Sequence, residues 1–257
     1  MSREGALPAS GMPVRLRDPT GEDELVVLQS DGPPAFTMLE LASRLGRGLT
    51  GESIDWLGLP AVDLDAAALL IRGSWLGDTI RTESLCTAEG CGALIDVAFN
   101  VPDYIEHHRP THARGIRELE FGWLSLDGLE ERFRIPTVSD LCDVLASERA
   151  TMVERCVQPP NPSTAATRKV DRVLEALAPR LDDRLTGSCP QCSRTVELYF
   201  DPISYVLEEL RFACTGLYSQ VHELARAYHW SERAILGLDR QRRSTYVAMV
   251  RGELALV

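Results

Sequence analysis

The sequence predicts an α+β protein organised on two related β-hairpins, each turning on a cysteine knuckle, with flanking helices and a C-terminal helical segment. Three observations predict it. Cys86-Thr-Ala-Glu-Gly-Cys91 and Cys189-Pro-Gln-Cys192 are cysteine pairs at short spacing. Each pair leads into a matching run, Cys91-Gly-Ala-Leu-Ile-Asp-Val-Ala-Phe99-Asn100 and Cys192-Ser-Arg-Thr-Val-Glu-Leu-Tyr-Phe200-Asp201, and both runs reach a tyrosine, Tyr104 or Tyr205, at the same offset. The intervening and following segments carry apolar residues at helical spacing.

The 257 residues are enough to bury a substantial core, and 44% hydrophobic with 25% charged is ordinary for a globular chain. No apolar run reaches membrane-spanning length, and the N-terminus lacks the hydrophobic stretch of a signal peptide. A cytoplasmic protein with no membrane partner is expected. In that reducing compartment, paired cysteines point to metal ligands or redox centres before disulfides. The formal charge of −11 argues against nucleic acid as the main partner. Lys169 is the sole lysine among 27 basic residues, a bias that a GC-rich genome explains as readily as arginine's suitability for protein contacts.

Taken in order, residues 1–12 are small, polar and proline-interrupted and read as a disordered leader. Val14 to Leu25 alternates briefly, then gives an acidic, capped start; Leu25-Val-Val-Leu28 is helix or strand. Phe36 to Leu45 places Met38, Leu41, Ala42 and Leu45 on one helical face, closed by Gly46 and Gly48. Asp63 to Leu76 is a better helix, with Leu64, Ala67, Ala68, Ile71 and Trp75 at helical spacing and Gly77 as C-cap. Thr79 to Leu85 alternates as a strand into the first knuckle. Leu119–Leu126 and Glu131–Ile135 read as a hairpin joined through Asp127-Gly128. Thr137 and Asp140 form an acidic variant of the capping box, opening a helix towards Val153. Pro159, Pro160 and Pro162 mark a linker. Thr167–Leu177 is a short amphipathic helix, Ile203–His229 the longest helical stretch, and two brief helices capped by Ser231 and Asp239 follow. The resulting divisions are the leader (1–12), an N-terminal lobe with the first knuckle and hairpin (13–157), the proline-rich linker (158–166), the second knuckle (167–204) and C-terminal helices (205–257).

Strand, knuckle, strand is the order of a zinc ribbon, and Cys86, Cys91, Cys189 and Cys192 supply four thiolates for one closed tetrahedral site. The expectation is one structural Zn2+ in a split zinc ribbon, each half contributed by one hairpin. A rubredoxin-like iron site uses the same ligands, and two separate thiol pairs, disulfide-forming or idle, are the plain alternative. A thioredoxin-like role for Cys189 and Cys192 needs a strand-to-helix junction, whereas a strand-like run follows Cys192. Cys142, Cys156 and Cys214 sit on apolar helical faces as small core residues. His107, His108 and His112 read as a solvated loop, and His222 and His229 as packing or contact residues. No nucleophile elbow, phosphate loop, dinucleotide fingerprint or His-Glu-x-x-His motif is present, so no catalytic residue is assigned and a non-enzymatic protein is expected. The C-terminal segment is arginine-rich, with Arg226, Arg233, Arg240, Arg242 and Arg243, and suits pairing with acidic protein surface.

Several stretches together resemble tail-assembly proteins of contractile phages and phage-tail-like injection systems. They are Gly58-Leu-Pro-Ala-Val-Asp-Leu-Asp-Ala-Ala-Ala-Leu-Leu-Ile-Arg72 with Leu76-Gly-Asp78, then Phe133-Arg-Ile-Pro-Thr-Val-Ser-Asp-Leu141, and His229-Trp-Ser-Glu-Arg-Ala-Ile-Leu-Gly-Leu238 with Arg242, Arg243 and Tyr246. The family named by the resemblance is the baseplate hub-assembly chaperones of T4-type phages. It implies a binding role in baseplate or tail construction, with hub, baseplate or tail proteins as partners, and Trp230, Arg240, Arg242, Arg243 and Tyr246 as a candidate partner-binding set. The wider first knuckle and the proline-rich linker depart from the family. The second reading is a zinc-ribbon protein bound to nucleic acid or the transcription machinery.

Overall fold

The structure, a computed structural model, describes residues 3–147 and 151–252. Within the expected leader, β1 (Arg3–Ala6) pairs antiparallel with β2 (Pro13–Leu16), and Leu7 is buried. Asp63 explains why this short segment is held. Its two carboxylate oxygens accept the Ala9 and Ser10 amides, each at 2.9 Å, fixing the turn between the strands. The leader expectation is therefore corrected for residues 3–12; residues 1 and 2 lie outside the described residues.

Two helices follow, α1 (Gly21–Gln29) and α2 (Pro34–Leu45), and β3 (Gly46–Arg47) returns to pair with β2. Leu25–Leu28 is helical. Gly46 does not close α2 in a left-handed turn; it leads into β3, and a Cβ there would lie 2.8 Å from the Ala42 carbonyl oxygen and from the Trp56 ring. A single 3-10 turn at Trp56–Gly58 precedes α3 (Ala61–Leu76), which Gly77 terminates at φ 88. Then come β4 (Thr79–Leu85), β5 (Leu94–Asn100) and α4 (Val101–His107).

The next sheet runs β6 (Ile116–Glu118), β7 (Leu124–Leu126), β8 (Arg132–Phe133) and β9 (Val157–Gln158) in that order. The expected hairpin through Asp127-Gly128 is β7–β8, but a 3-10 turn at Glu120–Gly122 interrupts its first limb. Thr137 opens α5 (Val138–Ala146): its amide donates to Asp140 Oδ2 at 2.9 Å, and its hydroxyl accepts the Asp140 amide at 3.3 Å. The helix stops at Ala146 instead of reaching Val153. Residues 148–150 lie outside the described residues, and Thr151 caps a separate α6 (Met152–Cys156). After the prolines come α7 (Thr164–Leu177), β10 (Asp183–Ser188), β11 (Thr195–Phe200) and α8 (Pro202–Cys214). The long helix expected from 203 to 229 is broken at Thr215-Gly216, where α9 (Leu217–Tyr228) starts; α10 (Glu232–Leu236) and α11 (Arg240–Val250) complete the described chain.

The order strand, strand, helix, helix, strand, helix, hairpin, helix thus occurs twice, from β1 to α4 and from β7 to α8. Atomic details repeat with it. Arg17 and Arg44 both donate to Asp23, and Arg134 and Arg155 both donate to Asp140. The Arg17 amide donates to the Leu45 carbonyl at 3.1 Å, as Arg134 does to Cys156 at 3.0 Å. Leu16 faces Gly46 and Phe133 faces Val157 in register. The sequence carries this as Arg17-x-Pro-Thr-x-x-Asp23 and Arg134-x-Pro-Thr-x-x-Asp140.

The copies share one core. Helix α8 packs against α1, α2 and α3, and Leu41, Leu64, Ile80, Val101, Leu181, Phe200 and Val206 belong to one buried cluster. The expected lobes, 13–157 apart from 167–204 and 205 onward, do not separate at that core. Helices α9 to α11 form a cap around Leu224, Ile235 and Val247. Residues 253–257 lie outside the described residues.

Candidate metal centre

An isolated two-stranded hairpin is marginal in water, and here there are two. β4–β5 and β10–β11 are separate antiparallel sheets, paired from Thr79↔Asn100 to Leu85↔Leu94 and from Asp183↔Phe200 to Ser188↔Thr195. At their bases an aromatic cluster joins them. Phe99 meets Phe200 edge to face at 5.2 Å, Tyr104 packs on Phe200 at 5.5 Å, and Tyr205 does so at 5.4 Å. The Tyr104 hydroxyl donates to the Leu181 carbonyl at 2.7 Å, tying the first copy's α4 to the second copy just ahead of β10. The repeat of these aromatics was readable in the sequence; their contact with one another was not.

At the tips, each knuckle is shaped by its own backbone. The Cys86 amide donates to Ala93 O at 2.8 Å and the Cys189 amide to Arg194 O at 2.9 Å, equivalent closures in the two copies. The residue after the second cysteine is left-handed in both, Gly92 at φ 60 and Ser193 at φ 59. The extra length of the first loop is absorbed by Gly90, also at positive φ.

The four sulfurs lie within 4.8 Å of one another. Cys86 Sγ is 3.8 Å from Cys192 Sγ, and Cys91 Sγ is 3.8 Å from Cys189 Sγ, so the close pairs cross from one hairpin to the other. A tetrahedral ion with metal–sulfur bonds of about 2.3 Å has sulfur–sulfur edges of about 3.8 Å. The spacing fits four-thiolate coordination and is far beyond a disulfide bond of about 2.0 Å. Cys86 and Cys189 are buried, Cys91 and Cys192 half-buried, with Val196 and Ile95 packed beside them.

No family model, curated protein or solved structure matches this chain.

The electrostatics of the bare thiols agree with a cation site. For Cys86 the Ala88 amide favours the thiolate, but burial and the hydrogen bonds with Cys189, Cys192 and Cys91 outweigh it and push the thiol up to about 12. Cys189 moves the other way, to about 7, because the amides of Cys192 and Gln191 point at its sulfur and outweigh burial. Cys189 readily holds a negative charge while Cys86 and Cys91 resist one, a conflict that a dication would remove.

Among the described residues, these cysteines are the one group of three or more His, Cys, Asp or Glu side chains placed to share an ion. His107 and His112 are exposed, and His108 Nδ1 lies 2.8 Å from the Tyr104 carbonyl oxygen. Cys156 and Cys214 are buried, and Cys142 half-buried. One member of the candidate partner-binding set is not at the surface. Arg243 is fully buried, donating to Glu24, Gln220 and the Leu238 carbonyl, and is corrected from contact residue to core residue. Arg240 donates to the Ala213 carbonyl, and Trp230 and Tyr246 pack together half-buried at 5.0 Å. Arg242 is exposed. No helix among the described residues is long and apolar enough to cross a membrane.

Proposed function

We propose that the chain is a non-enzymatic, zinc-stabilised binding protein for the baseplate or tail of a contractile phage or related injection system, acting in the cytoplasm as assembly factor or component. The observation that carries the metal part is the crossed pair of 3.8 Å sulfur contacts between two hairpins. Zinc suits four thiolates with no water position left, and such a closed shell supports structure, not hydrolysis. The two hairpins with the ion between them then form one split ribbon. The assembly role rests on the resemblance of Gly58–Arg72, Phe133–Leu141 and His229–Leu238, which includes the helix N-termini that dock the copies together. The protein purified from medium containing both iron and zinc should carry one zinc per chain and be colourless; an iron chromophore at full occupancy would replace zinc by a redox centre. Co-expression with baseplate, hub and tail proteins of its own locus should give a stable complex, and the absence of any complex would sink the assembly role.

A further inference from the structure

The duplication is incomplete over the second copy. On the first copy, α8 lies across α1, α2 and α3 and buries Val27, Leu41, Ala42 and Leu45 completely. The equal nine-residue α1 and α5 make Val144 the counterpart of Val27, and the shared bonds of Arg44 to Asp23 and of Arg155 to Asp140 make Met152, Val153 and Cys156 on α6 the counterparts of Leu41, Ala42 and Leu45. There Val144, Met152 and Val153 are only half-buried, and neighbouring Leu145 is 43% exposed. The helix that would cover them by the same symmetry is α4, the counterpart of α8. It has 7 residues where α8 has 13, and ends at His107. What remains over α5, α6 and α7 is an apolar groove of about 620 Å³, floored by Leu141, Val153, Val170 and Leu174.

Its rim is acidic. Among the described residues, Asp65, Asp171, Glu175, Asp182 and Asp201 line it, against Arg180 alone, and Arg180 is already beside Glu175 at 3.4 Å. Tyr199 donates to Asp182 and Ser204 to Asp201. Burial, then the charges of Asp182 and Asp201, push the Asp65 carboxyl well above its ordinary range, and a cation seated there would relieve that repulsion.

We propose that a partner protein lays an amphipathic helix of about three turns, apolar on one face and carrying Lys or Arg beside it, into this groove, in the place α8 occupies on the first copy. This rests on reading the chain as a protein-binding scaffold and names the chemistry of its partner. Lysine and arginine on the incoming helix meet the acidic rim, while leucine-type residues spaced like Val206, Leu207 and Leu210 enter the floor.

The test uses the full metal-loaded chain and two labelled helical peptides, one with leucines at the α8 apolar spacing and lysine elsewhere, the other with glutamate for every lysine. The lysine peptide should bind and the glutamate peptide should bind at least tenfold more weakly. Leu145→Glu, at an exposed position, should weaken the lysine peptide tenfold or more although it adds negative charge; Asp65→Asn with Asp182→Asn should weaken it and flatten its salt dependence. Equal binding of both peptides, or no change in either variant, would overturn the proposal. So would a dimer of the chain that Leu145→Glu dissociates, because a second copy would then be the occupant. If tail proteins form no complex but the lysine peptide binds as described, the groove stands and the phage assignment falls. A tail-protein complex that survives Leu145→Glu leaves the assignment and removes the groove.

Discussion

Arg243 on α11 and Glu24 on α1 form an ion pair at 2.5 Å between side chains that are 0% and 2% exposed. It joins the C-terminal cap to the first helix of the chain, and Gln220 completes the arginine's bonding at 2.8 Å. Cutting one partner leaves a buried charge alone, which costs about 3–5 kcal/mol. Arg243→Met should lower unfolding free energy by that amount in urea titration, and Glu24→Gln added to it should recover part of the loss. A single-variant loss below roughly 1 kcal/mol, the range of exposed pairs, would contradict the buried geometry.

Gly21 opens α1 where α10 and α11 dock. A Cβ at this position would lie 2.9 Å from Leu236 Cα and 3.0 Å from Arg243 Nη1. Gly21→Ala should destabilise by about 1–3 kcal/mol, as overpacking does, and speed amide exchange in 232–250. Unchanged exchange there would mean the cap does not depend on this approach. Val138, the equivalent residue in the second copy, meets the α3 entry instead, its amide donating to the Leu59 carbonyl at 2.9 Å.

Asp140 gives the fold an acid limb. Burial pushes its carboxyl up, but Arg134, the Thr137 amide and hydroxyl, and Arg155 outweigh burial and hold it well below the usual carboxylate range. A group held low stabilises the fold fully above its unfolded value of about 4. That contribution is lost as pH falls below this value towards the folded one. Asp140→Asn should cost about 3 kcal/mol at pH 7, and the gap to the unsubstituted chain should shrink as the pH is lowered from 5 to 2. A gap independent of pH would exclude this account.

Chelation should act locally before it acts globally. The bases of the two hairpins join the main core through Ile80, Phe99, Leu185 and Phe200, whereas their tips meet in the separate small cluster around the four thiols. Stripping the metal with a strong chelator, or replacing Cys189 by serine, should raise amide exchange in 79–100 and 183–200 first. The melting point should drop on the order of 10 °C, at about 2–4 °C per kcal/mol for a chain of this size. Full retention of metal by Cys189→Ser, or uniform loss of protection, would count against a site bridging the hairpins.

Much of the four-cysteine cluster was legible because its signal is local: two cysteines and the strand behind them announce each knuckle. The Thr137–Asp140 cap and the Gly77 stop were legible for the same reason. The duplication beyond the hairpins was written in Arg17-x-Pro-Thr-x-x-Asp23 and its echo at Arg134, too short a pattern to notice without the shared bonding to Asp23 and Asp140. Arg243 misled because counting charge along a segment cannot reveal a carboxylate 219 residues away. The break at Thr215 was hidden because apolar spacing continues across it. Asp63 shows the reverse error, since its helix-start signal is real but its oxygens serve Ala9 and Ser10.

The crossed cysteine pairs also set a clock on synthesis. Cys86 and Cys91 leave the ribosome well before Cys189 and Cys192, separated from their close partners by 106 and 98 residues. At about 5–20 residues per second, the first pair waits roughly 5–20 s for the second. A chain cut short anywhere before Cys189 offers an ion two sulfurs instead of four, so only a polypeptide finished through its second copy can close the coordination shell.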